Sequence, residues 1–448
     1  MLSACGARLP PLAADVRSTA ATPATGTGPV VTTPATTPPV VAGGALDTPV
    51  AAGPVVTASG GGGAVDTPVA ATSTACTPQP VDEVGVSDTT ITLANVGMIS
   101  GPIPGAGQPG LDGTRAFVEY VNSQGGVCGR RLQLVTGDDR TDTGQGRAEY
   151  LRLSREAFGF VGGESIVDGG AASAVGGTNI PVTQVAVDDA ALAAPNFFSP
   201  SPIEPTGTTL GSEPMWRYFH SALGLQRPAI VVLGIAAARQ RAETYRSDIE
   251  RAGLTLGGYH EVALTETNWV AVAQQMENEG ADGFISLLDQ VGSARLAQAI
   301  QQVDWHPLVT HYGAQNYGAA FLELAGPAAE GTLIPLAFDI FEDAPTNPTV
   351  ATFLDWYHRV APGREPDFYA AMGWASADMM VQALQAAGPA PTRDAVMQWL
   401  GALTEFDAHG FLAPCNPAGK VTSPQFLVAT VKDGHWQRSY PETGFTTG

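Results

Sequence analysis

Gly105-Ala106-Gly107-Gln108-Pro109-Gly110 has the glycine spacing of a dinucleotide-binding turn, and Asp138-Asp139 stands where such a fold places a ribose-binding acid. The first glycine, however, lies several residues past the apolar run that ends at Ile99, with Pro102 and Pro104 between. A pyrophosphate needs a tight turn to sit on a helix N-terminus, so no cofactor is expected. Asp139 to Tyr150 puts Gly144 in the sixth place of a calcium loop, but Thr141 and Thr143 fill ligand places and Glu149 falls one residue short of the bidentate place. An Asp-rich helix cap is the expected role. The histidines at 220, 260, 306, 311, 358, 409 and 435 make no HExxH and no i, i+4 pair, so no metal site is signalled. Ser165 lacks the flanking glycines of a nucleophile elbow. With no nucleophile and base displayed, the chain is read as a binding protein and not an enzyme.

The elements that would position a site are strands and helices in alternation. Ile91 to Ile99 reads as a buried strand, Leu111 to Asn122 as a helix with Leu111, Val118 and Val121 on one face, and Arg131 to Val135 as the next strand. Strands follow at 158–161, 181–187, 229–233, 283–288 and 308–312, with amphipathic helices between, such as Leu296, Ile300 and Val303. This alternation predicts an α/β fold of mainly parallel sheets with helices on both faces. Some 360 residues exceed one open sheet, so two doubly wound lobes are expected. Ligands of such sheets bind at the carboxyl ends of strands. The loops there read Ser100-Gly101-Pro102, Gly162-Gly163-Glu164-Ser165, Val187-Asp188-Asp189, Asp289-Gln290 and Gly313-Ala314-Gln315.

Composition narrows the partners. The 448 residues are 44% hydrophobic and 15% charged, and no apolar run approaches the ~18 residues a membrane helix needs. Lys+Arg is 22 against Asp+Glu 43, a net charge of −21, which argues against a nucleic-acid partner. Residues 6 to 80 hold no Phe, Tyr or Trp and are crowded with Ala, Thr, Pro, Gly and Val, a composition expected to stay disordered. Within them Asp47-Thr48-Pro49-Val50-Ala51-Ala52 recurs as Asp66-Thr67-Pro68-Val69-Ala70-Ala71. Such a tether reaches about 45 to 50 Å. Before it, Leu2-Ser3-Ala4-Cys5-Gly6 resembles a bacterial lipobox, at which Cys5 would be lipidated, although the apolar signal region is missing. The remaining cysteines, Cys76, Cys128 and Cys415, would then sit in an oxidising compartment with room for one disulfide. Cys76 precedes the first predicted strand and Cys128 the second, and a Cys76–Cys128 bridge is expected.

The order of these features resembles the type I periplasmic binding proteins, specifically the branched-chain amino acid (Leu/Ile/Val) receptor family of ABC importers. Its carriers are Ile91-Thr92-Leu93 with Ser100-Gly101-Pro102, the run Asn122-Ser123-Gln124-Gly125-Gly126-Val127-Cys128-Gly129-Arg130-Arg131, then Asp138-Asp139 and Phe160-Val161-Gly162-Gly163. Ala328-Ala329-Glu330-Gly331 and Val431-Lys432-Asp433-Gly434-His435-Trp436 complete the set over residues 86 to 440.

The resemblance implies a two-lobed clamshell with hinge crossings near 200, 335–340 and 408–414. Residues 1–5 would be a residual lipobox and 6–85 a linker. Residues 86–200 with 336–407 would form one lobe, and 201–335 with 408–448 the other. It further implies a monomeric, extracytoplasmic protein, lipid-anchored to the outer face of the cell membrane, that captures a small amino-acid-like or organic-acid ligand and hands it to an ABC permease. Ser100, Glu164, Ser165, Ala186 and Asp188 would meet a ligand carboxylate from the first lobe. Asp289 and Gln315 fall where the second lobe would present an aromatic residue and an acid for the ligand's ammonium. Gln315 is neutral, so Asp188 or Asp289 would have to replace that acid. Arg239, where the family's Tyr-Gly is absent, would favour an anion. Tyr317 and Trp269 are expected to pack rather than stack on a ligand. A sensing domain of the same fold is the main alternative, and an α/β hydrolase a weaker one.

Overall fold

The computed structural model describes residues 76–102, 105–203 and 212–448. Cys5 and the tail up to residue 75 lie outside the described residues. The first lobe is built on β1 (Thr90–Gly97), β2 (Arg131–Asp138), β3 (Gly159–Val161), β4 (Val182–Thr183) and β5 (Phe197–Phe198). They pair in parallel in the order β2-β1-β3-β4-β5. Between them run α1 (Gln108–Ser123), α2 (Thr143–Leu153), α3 (Gly169–Val175) and α4 (Asp189–Ala193). The second lobe holds α5 (Glu213–Leu223), β6 (Pro228–Leu233), α6 (Ala236–Arg251), β7 (Gly258–Val262), α7 (Trp269–Asn278), β8 (Gly283–Leu287), α8 (Gln290–Val303), β9 (Val309–His311) and α9 (Ala319–Ala325). Its sheet is again parallel, in the order β7-β6-β8-β9.

Each central strand is apolar on both faces because helices cover both. Ile91 and Leu93 of β1 enter one core while Ala94 and Val96 enter another. In the second lobe Val231 and Leu233 of β6 likewise face away from Ile230 and Val232. A strand buried on one face would alternate apolar with polar; these do not.

After β10 (Leu333–Leu336) the chain returns to the first lobe as α10 (Pro348–Val360), α11 (Phe368–Ala387) and α12 (Arg393–Leu400). Helix α11 is apolar all round, and it is buried between α1, α12, β3 and β4. Gly373 permits that approach, since a Cβ there would collide with the Gly110 carbonyl of α1. The chain then crosses back to β11 (Leu427–Lys432) and β12 (His435–Tyr440). These join β10 in an antiparallel sheet, a third layer beyond the two parallel ones the strand pattern predicts. The β11–β12 turn is Asp433-Gly434, both at positive φ, as a two-residue hairpin with strong twist requires.

Three segments near the expected crossings lie side by side. Asp339 N donates to Phe411 O and Ala413 N to Ala337 O, each at 2.9 Å, while the Cys415 thiol reaches Pro200 O at 3.4 Å. Residues 76–85, which the sequence reading places in a linker, are bonded to the first lobe. Cys76 is joined to Cys128, Gln79 N donates to Pro389 O, and Arg130 spans Ser87 O, Pro389 O and Gln79 O at 2.7 Å each. A buried guanidinium with three carbonyl acceptors holds residues 76–85 on the first lobe, an anchoring that composition cannot register.

Candidate ligand-binding cleft

The loops that follow β3, β8 and β9 come together around the N-terminus of α11. There the backbone of Asp367 bridges to that of Gly318 from the second lobe. The first turn of α11 also contacts the short helical turn Ala314–Asn316 that follows β9. Tyr369 in that turn lies within electrostatic reach of Glu164 and Asp367 from its own lobe and of Asp289 from the other. This is the place where loops of both lobes meet.

The first lobe's loops are largely bonded to one another. Ser100, expected to meet a ligand, donates its N–H to Asp138 Oδ1 at 3.1 Å and its hydroxyl to Oδ2 at 2.5 Å. Partial burial pushes the Asp138 carboxyl up, but hydrogen bonds from Ser100, Arg140 and Ile99 outweigh it and hold it below the usual range. The Ser165 hydroxyl accepts from Val167 N at 3.1 Å and lies against Asp139. Of the groups the resemblance offers to a ligand carboxylate, the Asp188 N–H is bonded to Asp168, as is the N–H of Val187 beside it. Asp168 Oδ1 and Oδ2 accept them at 2.9 Å each. Asp188 caps α4 by accepting from Ala190 N. Ala186 is buried behind this loop, beside a void of about 10 Å³ that Phe197, Phe198 and Lys420 also line.

Glu164 differs from all of these. It is 3% exposed, and its Oε1 is buried without a hydrogen-bond partner among the described residues. Its side chain lies on the first turn of α1, where a Cβ on Gly110 would stand 2.5 Å from Glu164 Cγ. The glycine of the dinucleotide-like motif therefore makes room for a carboxyl. Burial pushes Glu164 well above the usual carboxylate range, and the charges of Asp367 and Asp168 add to the push. Burial also raises Asp168 and Asp367 to about 7, and raises Asp139. Nearby the Tyr150 hydroxyl donates to Gln184 Oε1 at 2.7 Å, while Gln184 Nε2 is buried with no acceptor.

The second lobe's groups are simpler. Asp289 caps α8 by accepting from Gly292 N at 3.1 Å. Gln315 Nε2 donates to Leu288 O at 3.1 Å, and Gln290 Nε2 donates to Gln315 O at 3.3 Å, so Asp289, Gln290 and Gln315 share one loop edge. Arg239, expected to favour an anion, pairs with a carboxylate of its own lobe. Its Nε and Nη2 clasp Glu261 of β7 at 2.7 and 2.5 Å, and both side chains are largely solvated. The opposite charge on the strand next to β6 is its partner in this structure. Tyr317 is fully buried with its hydroxyl donating to Glu342 at 2.6 Å, and Trp269 is buried with Nε1 on Glu266 O.

Asp168, Asp367 and Tyr369 belong to this site and are not among the residues read from strand ends. Asp168 and Asp367 stand just before helices, and an acid at a helix start reads first as a cap, which Asp367 also is for Ala370 N. Among the described residues no group of three or more His, Cys, Asp or Glu side chains is arranged to hold a metal ion, and no helix is long and apolar enough to cross a membrane. A groove of about 630 Å³ beside β2, with Arg115, Glu119 and Arg131 on its walls, lies away from the strand ends.

The family model described as "Periplasmic binding protein" matches residues 90–435. A "Leu/Ile/Val-binding protein homolog 2" from Brucella abortus is 26% identical over 302 residues, covering 62% of this chain and 73% of its own. Among solved structures, a putative branched-chain amino acid ABC transporter protein from Rhodospirillum rubrum superposes with a TM-score of 0.59 at 22% identity, over 78% of this chain and all of its own. A fatty acid ABC transporter substrate-binding protein from Thermomonospora curvata does so with a TM-score of 0.67 at 17% identity, over 82% of this chain and 95% of its own. These relatives and fold neighbours are substrate-binding proteins and not enzymes. The chain belongs to the periplasmic binding protein family, with Leu/Ile/Val-binding proteins of ABC transporters among its relatives.

Proposed function

We propose that this chain captures a small amino-acid-like solute outside the cytoplasmic membrane, by closure of its two lobes, and delivers it to the permease of an ABC importer. The observation that carries the reading is the meeting of two sets of strand-end loops at the head of α11, with Glu164 and Tyr369 on one side and Asp289 on the other. Closure of such loops excludes water and lets few polar groups fix a ligand's orientation. Glu164, Ser165, Asp188, Asp289 and Gln315 border that space in this reading; Ser100 and Ala186 support the loops, and Arg239 stands outside. An organic acid without a nitrogen is disfavoured, since Arg239 pairs with Glu261 and the N–H groups of Val187 and Asp188 with Asp168. Lipidation at Cys5 and a monomeric state complete the proposal.

The test is a thermal-shift screen of the full chain against amino acids, amines and organic acids. A solute at 100 times its Kd adds about 2.7 kcal/mol, a rise of a few degrees for lobes this size. A rise with at least one small solute is the expected result, and no rise with any would contradict the proposal.

A further inference from the structure

We infer that the solute presents an ammonium or amidinium group to the first lobe and that Glu164 receives it, so that the ligand enters cation-first where the resemblance implies a carboxylate. This rests on the solute-capture reading and specifies its ligand class. Two of the first lobe's expected carboxylate-binding donors are already spent within the protein, Ser100 on Asp138 and the Asp188 N–H on Asp168. Among the carboxyls of these loops, Glu164 Oε1 is buried and unpartnered. A buried carboxyl without a donor is costly, and native chains leave one where a ligand or water will complete it. The surrounding field has one sign. Asp367 and Tyr369 face Glu164 from α11, Asp168 from the head of α3 and Tyr150 from α2. Helix α1 faces it with Gly110 and β1 with the backbone of Gly97, neither ionisable. No cation is among the charges acting on Glu164. Gln184 Nε2 supplies one donor at this edge, and an uncharged amide does not offset the carboxyls around it. A ligand cation docked here gains a counter-charge when Glu164 gives up its proton; a ligand carboxylate finds no cation among the charges around it. The N-terminal turn of α1 beside Gly110 also favours the ionised form of Glu164 once the cation arrives.

Binding then has a signature that a packing role lacks. Glu164 holds its proton in the empty site because burial raises its pKa, and releases it when a cation docks. Isothermal titration calorimetry of the full chain with putrescine, agmatine, leucine and benzoate, at pH 6 and 8 and in two buffers of different ionisation enthalpy, reads that proton. The expected result is binding of an amine with release of protons at pH 6 and tighter binding at pH 8. Glu164→Gln should abolish the proton release and weaken amine binding by about 30-fold or more. Glu164→Asp should fall between, and circular dichroism of each variant checks its fold. Benzoate binding with proton uptake would overturn the inference while leaving solute capture in place. So would binding of an amine or of leucine that is indifferent to Glu164→Gln, or silence of putrescine, agmatine and leucine while another solute binds. Silence of all four compounds and of the wider solute panel would remove both readings together.

Discussion

The loops at the carboxyl edge of the first sheet bury Asp139, Glu164 and Asp168 close together, whereas those of the second sheet set Asp289 and Gln315 to capping and bracing their own ends. The contrast separates two jobs that one fold must do. Asp289 and Gln315 in the second lobe find partners at home, although Asn316 Oδ1 beside them is buried without one, and among the described residues no carboxyl of that edge is buried unpartnered. The first lobe's edge holds a carboxyl that its own chain does not satisfy, and other carboxyls crowded against it. Such an arrangement lowers stability unless something completes it, which is the usual trade at a binding site.

The comparison can be broken most severely by freeing the first lobe's N-terminal anchor. Reducing the Cys76–Cys128 bridge, which spans a sequence separation of 52, should lower unfolding free energy by up to about 4 kcal/mol on the chain-entropy scale. Urea denaturation with and without reductant measures this. No change would mean that residues 76–85 are not part of that lobe. Gly373→Ala should cost about 2 to 3 kcal/mol in the same assay, because the new methyl meets the Gly110 carbonyl and not a movable side chain. A loss below 0.5 kcal/mol would show that α1 and α11 are not held so close, and with them Glu164.

A subtler cut concerns pH. Asp168 and Asp367 ionise near pH 4 when unfolded and at about 7 when folded, so the folded chain keeps protons that the unfolded chain has lost. Their contribution therefore falls as pH rises from about 4 through 7. Asp367→Asn, which can still cap α11, should reduce the stability lost between pH 4 and 8 by about 1 to 2 kcal/mol, because the carboxyl keeps some solvent exposure. An unchanged pH slope would remove Asp367 from the buried acidic group. The smallest effect is expected in the second lobe. Asp289→Ala should cost about 1 kcal/mol through the lost α8 cap, and Asp289→Asn almost nothing. Equal losses in both variants would point to a charge role for Asp289 and blur the distinction between the jaws.

Much of this was legible in the sequence for a local reason. Strand runs such as Ile91 to Ile99 and Ala229 to Leu233 are apolar on both faces, and that pattern already carries the parallel sheets and their strand-end loops. Glu164, Asp188, Asp289 and Gln315 could be picked because topology puts ligand loops there. Asp367 and Tyr369 could not, since they reach the site only when the chain returns after β10, and nothing near them in sequence marks that return. Gly110 was visible as a glycine with a motif's spacing, but its reason is steric and lies more than fifty residues away, at Glu164. Arg239 shows the same limit in reverse: its charge suggested an anion site, and the adjacent strand's Glu261 neutralises it.

The central claim is that the acidic edge of the first lobe is finished by a ligand's cation. A crystal structure of the full chain purified with its bound solute tests it most directly. The account predicts a ligand nitrogen within hydrogen-bond distance of Glu164 Oε1, with Asp289 facing the solute from the opposite lobe. A ligand carboxylate in that place, or Glu164 bonded to a donor of the protein itself, would contradict it.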